Sequence, residues 1–170
     1  QDWVSAFEII EAVRGDVSLT YFEFSTLAAF QILSNHECDA WFIEVGLGGR
    51  LDATNIIESS VSVLTSIAMD HEEWLGDSID KIAKEKVGIA KRNRPLIFGD
   101  VVAMDVIRAG SLEKGAELRK KGEDFNGRID QGHYSFNGLN QSIEEIVLPK
   151  SWGDGEIDNL TTALAAMEAN

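Results

Sequence analysis

Three short apolar runs, Ala40 to Val45 (AWFIEV), Val61 to Ile67 (VSVLTSI) and Leu96 to Phe98, lack the polar alternation of a half-exposed strand, and stretches with helical periodicity occur around and between them. Continuous apolar strands suit a parallel sheet buried on both faces by its crossover helices. The expected fold is therefore α/β, a mostly parallel sheet flanked by helices. Helical spacing recurs at Trp3, Phe7, Ile10 and Val13, from Tyr21 to Leu33, from Ser78 to Ala90, and at Ile157, Leu160, Leu164 and Met167. Thr20-Tyr21-Phe22-Glu23 has the capping-box pattern, with the Thr20 side chain accepting from the Glu23 N–H while the carboxylate reaches back. Between Gly115 and Pro149, short polar segments and the dipeptides Asn126-Gly127 and Asn137-Gly138 predict a small antiparallel hairpin region at the edge of the domain.

Composition excludes several classes. The 170 residues carry a formal charge of −14, which disfavours a general nucleic-acid binder, because such proteins need a positive face to displace phosphate counterions. No apolar run approaches the ~18 residues of a membrane span. With the single cysteine Cys38 and no secretory leader pattern, the cytoplasm is the expected location. The chain starts on Gln1 and finishes inside an apolar-periodic helix, so it reads as a piece of a longer protein. Against the acidic background, residues 81 to 94 hold six Lys and Arg and one Glu, which makes either a solvated basic helix face or a place for an anion to dock.

Open parallel sheets bind ligands beyond the carboxyl ends of their strands. Glu44 lies inside the AWFIEV run, where a carboxylate needs a cation or donors. His71 lies four residues beyond Ile67; on neighbouring strands the two would reach the same sheet edge and could hold a metal. The bland readings are a carboxylate bonded to loop N–H groups and a capping or core histidine. Gly46-Leu47-Gly48-Gly49 does not complete G-x-G-x-x-G, since Leu51 stands where the third glycine belongs, and the phosphate loop G-x-x-x-x-G-K-[ST] does not occur in the sequence. The glycines instead allow a tight turn and close backbone approach. Lys86 falls among Ile79, Ile82, Ala83 and Ala90 on its helix, so it snorkels, pairs with a carboxylate or has a chemical role.

The strings SLTYFEFSTLAAF, EVGLGGRLDATN, TSIAMDHEEWLG and KIAKEKVGIAK closely resemble the folylpolyglutamate synthase and dihydrofolate synthase family, ATP-dependent amide ligases related to the Mur ligases. The resemblance is dense from Ser18 to Ala90, thin to Asp154, and returns at DNLTTALAA. It implies that residues 1 to 170 are part of a Mur-ligase central ATPase domain, P-loop NTPase-like, which in the family has a phosphate loop upstream and a C-terminal domain downstream. It further implies that Glu44 and His71 are magnesium ligands, and that Lys86 becomes a carbamate at the metal centre, with Lys86 and His71 in the catalytic set. Thr20, Tyr21, Phe22 and Glu23, with Leu51, Asp52 and Ala53, match the segments lining the pterin site, and Asn159 matches a residue near the nucleotide. The implied substrates are ATP, L-glutamate and dihydropteroate or a folate, joined through an acyl phosphate. A Mur-type ligase acting on a cell-wall precursor and a non-catalytic pterin-binding module are the alternatives; the LDATN segment favours folate.

Overall fold

The computed structural model describes residues 2 to 170. Contacts divide the chain into two units, residues 1 to 47 with 52 to 56, and residues 48 to 51 with 57 to 170.

In the first unit, helix α1 (Asp2–Arg14) packs against α2 (Tyr21–Ser34) around Ala6, Ile10 and Ala28. The α2 cap is the one the sequence announces: the Thr20 hydroxyl accepts from the Glu23 N–H at 3.2 Å, and Glu23 Oε2 accepts from the Thr20 N–H at 2.7 Å and from its hydroxyl at 2.8 Å. The run AWFIEV, expected to be a strand, is not one: it has no ladder partner among the described residues. Its apolar residues are spent otherwise, Trp41 stacking on Phe30 at 6.5 Å between ring centroids while Phe42 is 94% exposed.

In the second unit, β1 (Ser62–Leu64), β2 (Pro95–Phe98) and β3 (Glu117–Lys120) form a parallel sheet in that order. The short α3 (Glu72–Leu75) and α4 (Ile79–Val87) link β1 to β2, and α5 (Met104–Lys114) links β2 to β3. The sheet explains the unbroken apolar run at β2. Leu96 and Phe98 face one core with Ile82, Ala83, Val87 and Ile107, while Ile97 faces the other with Phe125, Tyr134, Phe136 and Ala165. A strand buried on both faces has no polar side to show.

The region from 115 to 149, expected to be antiparallel throughout, is so only in part: β3 joins the parallel sheet, and β4 (Asn126–Asp130), β5 (His133–Asn137) and β6 (Ser142–Val147) form a separate antiparallel sheet. Asn137-Gly138 lies where β5 gives way to the next connection, as expected. Asn126-Gly127 does not turn: it opens β4, and the reversal falls at Gln131 and Gly132, both with positive φ. The glycine at 127 is needed for packing, since a Cβ there would stand 2.6 Å from the Tyr134 hydroxyl oxygen. Helix α6 (Asp154–Ala169) packs on β1, β2 and β4, and its Thr161 hydroxyl lies 2.9 Å from that of the buried Tyr134. No helix among the described residues is long and apolar enough to cross a membrane.

Candidate functional site

Asp52 organises the part of the glycine segment that belongs to the first unit. Its Oδ2 accepts from the N–H groups of Gly46 (3.1 Å) and Leu47 (3.0 Å), and its Oδ1 from the N–H (2.8 Å) and hydroxyl (2.6 Å) of Thr54. Partial burial pushes this carboxyl up, but the Thr54 hydroxyl and the backbone N–H groups of Leu47, Thr54 and Gly46 outweigh it and hold the group below the usual carboxylate range. Gly46 must lack a side chain here, because a Cβ would meet the Phe22 ring at 2.7 Å.

The remainder of the segment, Gly48 to Leu51, packs on the last turn of α4 in the second unit. The Arg50 N–H donates to the Glu85 carbonyl at 2.9 Å, and the Arg50 guanidinium donates to Glu85 Oε1. The basic stretch around α4 is partly neutralised by its neighbours: Lys81 pairs with Asp77 at 2.7 Å and Lys91 with Glu58 at 4.0 Å, while Lys84, Arg92 and Arg94 are exposed. That pairing supports the solvated-face reading of the segment.

The family-matched residues are placed as follows. Tyr21 and Phe22 open α2 with exposed rings, and Glu23 spends only Oε2 on its cap, so Oε1 accepts no hydrogen bond among the described residues. Leu51 is exposed and Ala53 begins a 3-10 turn, Ala53–Ile56, directly after Asp52. Glu44 is exposed rather than buried, which follows from the missing strand, and it makes no hydrogen bond or ion pair among the described residues.

His71 is neither a core histidine nor a side-chain cap. It precedes α3 in a left-handed conformation (φ 49°, ψ 42°), is exposed, and its Nε2 lies 3.5 Å from Asp70 Oδ2. A non-glycine residue held there stores backbone strain, a feature that clusters at functional sites. Lys86 is half-buried beside the fully buried Ile82 and Ala83, and it makes no ion pair or side-chain hydrogen bond among the described residues. It falls among the apolar residues of its helix, as the spacing predicts, and no carboxylate pairs with it among the described residues. Asn159 is exposed on α6.

Glu44 belongs to the first unit, whereas His71 and Lys86 belong to the second. No group of three His, Cys, Asp or Glu side chains converges as a metal cluster among the described residues. Of Glu44, His71 and Lys86, the Glu44 carboxylate is the oxygen donor a hard divalent cation prefers, and the His71 imidazole is a less typical ligand for one.

Sequence reasoning missed the organising role of four residues, Asp52, Asp100, Arg50 and Glu85. Asp52 carried a readable signal, since Asp followed two residues on by Thr is an Asx-turn pattern. Asp100, just past β2, accepts from the N–H groups of Ile67 (2.9 Å) and Val101 (2.6 Å) and so ties the segment leaving β1 to the end of β2; nothing local in the sequence marks that. The Arg50 and Glu85 partnership spans 35 positions and is equally silent.

The fold and this loop arrangement place the chain among the Mur-ligase-type α/β proteins. Along 99% of its length it matches Escherichia coli FolC solved with ADP, at TM-score 0.91 and 40% identity, covering 40% of that chain. It also matches the bifunctional folylpolyglutamate synthase/dihydrofolate synthase of Yersinia pestis, solved with AMPPNP and a Mn ion, at TM-score 0.88 and 36% identity, covering 99% of this chain and 40% of that one. The dihydrofolate synthase/folylpolyglutamate synthase of Haemophilus influenzae is 53% identical over 151 residues, 89% of this chain and 34% of the relative. That of Escherichia coli K12 is 40% identical over 98% of this chain and 38% of the relative. No family model matches. The chain belongs to the folylpolyglutamate synthase and dihydrofolate synthase family, and it spans about two fifths of the length of the relatives it matches.

Proposed function

We propose that the protein containing this chain is an ATP-dependent amide ligase that adds L-glutamate to dihydropteroate, to folylpolyglutamate, or to both. The substrate carboxylate takes the γ-phosphoryl group of ATP, releasing ADP, and the glutamate amine then attacks the acyl phosphate, forming the amide and releasing phosphate and a proton. The observation that carries this reading is the match along 99% of the chain, at TM-score 0.91, to FolC solved with DHPP and ADP. The names of the relatives favour a folate substrate over a cell-wall precursor.

In this reading Glu44 and His71 are ligands of magnesium, which when bound neutralises phosphate oxygens. The Lys86 amine would add carbon dioxide, forming an N–C bond and losing a proton, and the resulting carbamate would replace a cation with an anion able to serve a divalent metal. Half-burial without a counter-ion supports a lysine put to such use. Thr20, Tyr21, Phe22, Glu23, Leu51, Asp52 and Ala53 line the pterin site. Phe22 offers a ring face, and Glu23 Oε1 an unspent acceptor for heterocycle N–H groups. Asp52 acts chiefly through the loop it holds, since its oxygens already accept four hydrogen bonds. Asn159 lies near the nucleotide.

The test is ATP-dependent incorporation of glutamate into dihydropteroate and into a reduced folate by the gene product carrying this chain. Glu44→Ala and His71→Ala should each lower turnover at least ~10-fold at limiting magnesium. Asp80→Ala, exposed on α4, should change little. Near-normal turnover of both ligand variants would refute the metal assignment.

A further inference from the structure

We propose that Arg50 and Glu85 are a positioning pair that seats the Gly48 to Leu51 turn on the end of α4 and so holds Lys86 in the orientation its metal-side role requires. The inference rests on the role of Lys86 proposed above. The observations behind it all lie within the second unit. Arg50 Nε and Nη2 both donate to Glu85 Oε1, at 3.2 and 3.0 Å, and the Arg50 N–H donates to the Glu85 carbonyl at 2.9 Å, so one residue is gripped at both backbone and side chain.

The glycines complete the junction. Gly88 has φ −60° and ψ −13°, a conformation open to any residue, yet a Cβ there would stand 2.4 Å from Arg50 Cβ and 2.7 Å from its Cα. Glycine is present because the Arg50 backbone comes too close for anything else. At Gly49 a Cβ would meet the carbonyl oxygens of Glu85 at 2.8 Å and Lys86 at 3.1 Å, so the turn lies directly on the peptide groups that flank Lys86.

An exposed ion pair alone contributes only ~0 to 1 kcal/mol, and Arg50 is 46% exposed at its side chain. What distinguishes this pair is its place in a junction closed by a backbone hydrogen bond and two sterically required glycines. The side chain of Lys86, the next residue, makes no hydrogen bond or ion pair among the described residues, so its direction is set by the helical turn that Arg50 clamps.

The experiment titrates Mn²⁺ by electron paramagnetic resonance, with a non-hydrolysable ATP analogue, in the gene product carrying this chain, alongside glutamate ligation at varied magnesium. Arg50→Ala and Glu85→Ala should each weaken Mn²⁺ binding about 10-fold and raise the magnesium needed for half-maximal turnover in step. The KM for glutamate should stay within about two-fold. Residues that act as a unit are non-additive, so the double variant should be no worse than either single one, and Arg50→Glu combined with Glu85→Arg should recover part of the loss. Where the alanine variants do not fold, Arg50→Lys and Glu85→Gln are measured in the same way. Unchanged Mn²⁺ binding or additive losses would overturn the pair while leaving the ligase reading intact. A wild-type protein that neither binds Mn²⁺ nor ligates glutamate would overturn both.

Discussion

At the scale of single residues, the chain separates groups that hold structure from groups left unspent, and Asp52 is the clearest of the first kind. Removing its carboxylate strands the N–H groups of Gly46, Leu47 and Thr54, so Asp52→Ala should cost about 1 to 3 kcal/mol in urea unfolding. Because the folded carboxyl titrates below its ordinary value, its contribution is fully present above the unfolded value of ~3.9 and is lost as pH falls through the lower folded value. Acidification from about pH 5 to 3 should therefore erode wild-type stability more than that of Asp52→Asn, and parallel pH profiles would contradict the assignment. The α2 cap was fully legible because its partners lie three residues apart. Asp52 was legible through the family resemblance as a pterin-site residue but not as the acceptor that holds its loop, since that role depends on Gly46 and Leu47 folding back onto it. Glu44 was misread as buried because that reading required a strand the chain does not pair.

Elements show the same division between local and distant causes. Apolar runs at β1 and β2 became strands because each found a neighbour in the parallel ladder, whereas AWFIEV, with equal strand character, found none among the described residues. Pairing is a long-range property that propensity does not contain. The dipeptide at 126 and 127 failed as a turn for a related reason: the glycine answers to Tyr134 on the neighbouring strand. Two other glycines allow this distinction between packing and conformation to be measured. Gly88→Ala replaces glycine where alanine is conformationally welcome but meets Arg50 at 2.4 Å, and overpacking should destabilise the chain by about 1 to 3 kcal/mol. Gly155→Ala, in the first turn of α6 with nothing within 4 Å of the added Cβ, should instead stabilise by about 0.4 to 1 kcal/mol. Thermal or urea unfolding of the two variants would show opposite signs; a shared sign would mean that steric approach is not why glycine occupies position 88.

For the whole molecule, the relevant quantity is how unevenly apolar burial is distributed. The first unit's core consists of Ala6, Ile10 and Ala28, small or medium side chains, and α1 leaves Trp3, Val4, Ile9 and Val13 exposed. The second unit has two cores that meet across β2, with Leu96 and Phe98 in one and Ile97 in the other, all fully buried. Since burial stabilises by roughly 25 cal/mol per Å² of apolar surface, opening the first unit should cost far less than opening β2. Periodicity anticipated α1, α2, α4 and α6, though not α3 or α5, and it did not anticipate this imbalance, because α1 and α6 show similar apolar spacing and differ only in what covers them. Native-state hydrogen exchange across low denaturant concentrations reads the difference directly. Amides of α1 and α2 should exchange through openings well below the global unfolding free energy, while those of Leu96 to Phe98 should exchange only with global unfolding. Equal protection of α2 and β2 would mean that the two units open as one cooperative structure, and that buried area within each unit does not set the order in which they come apart.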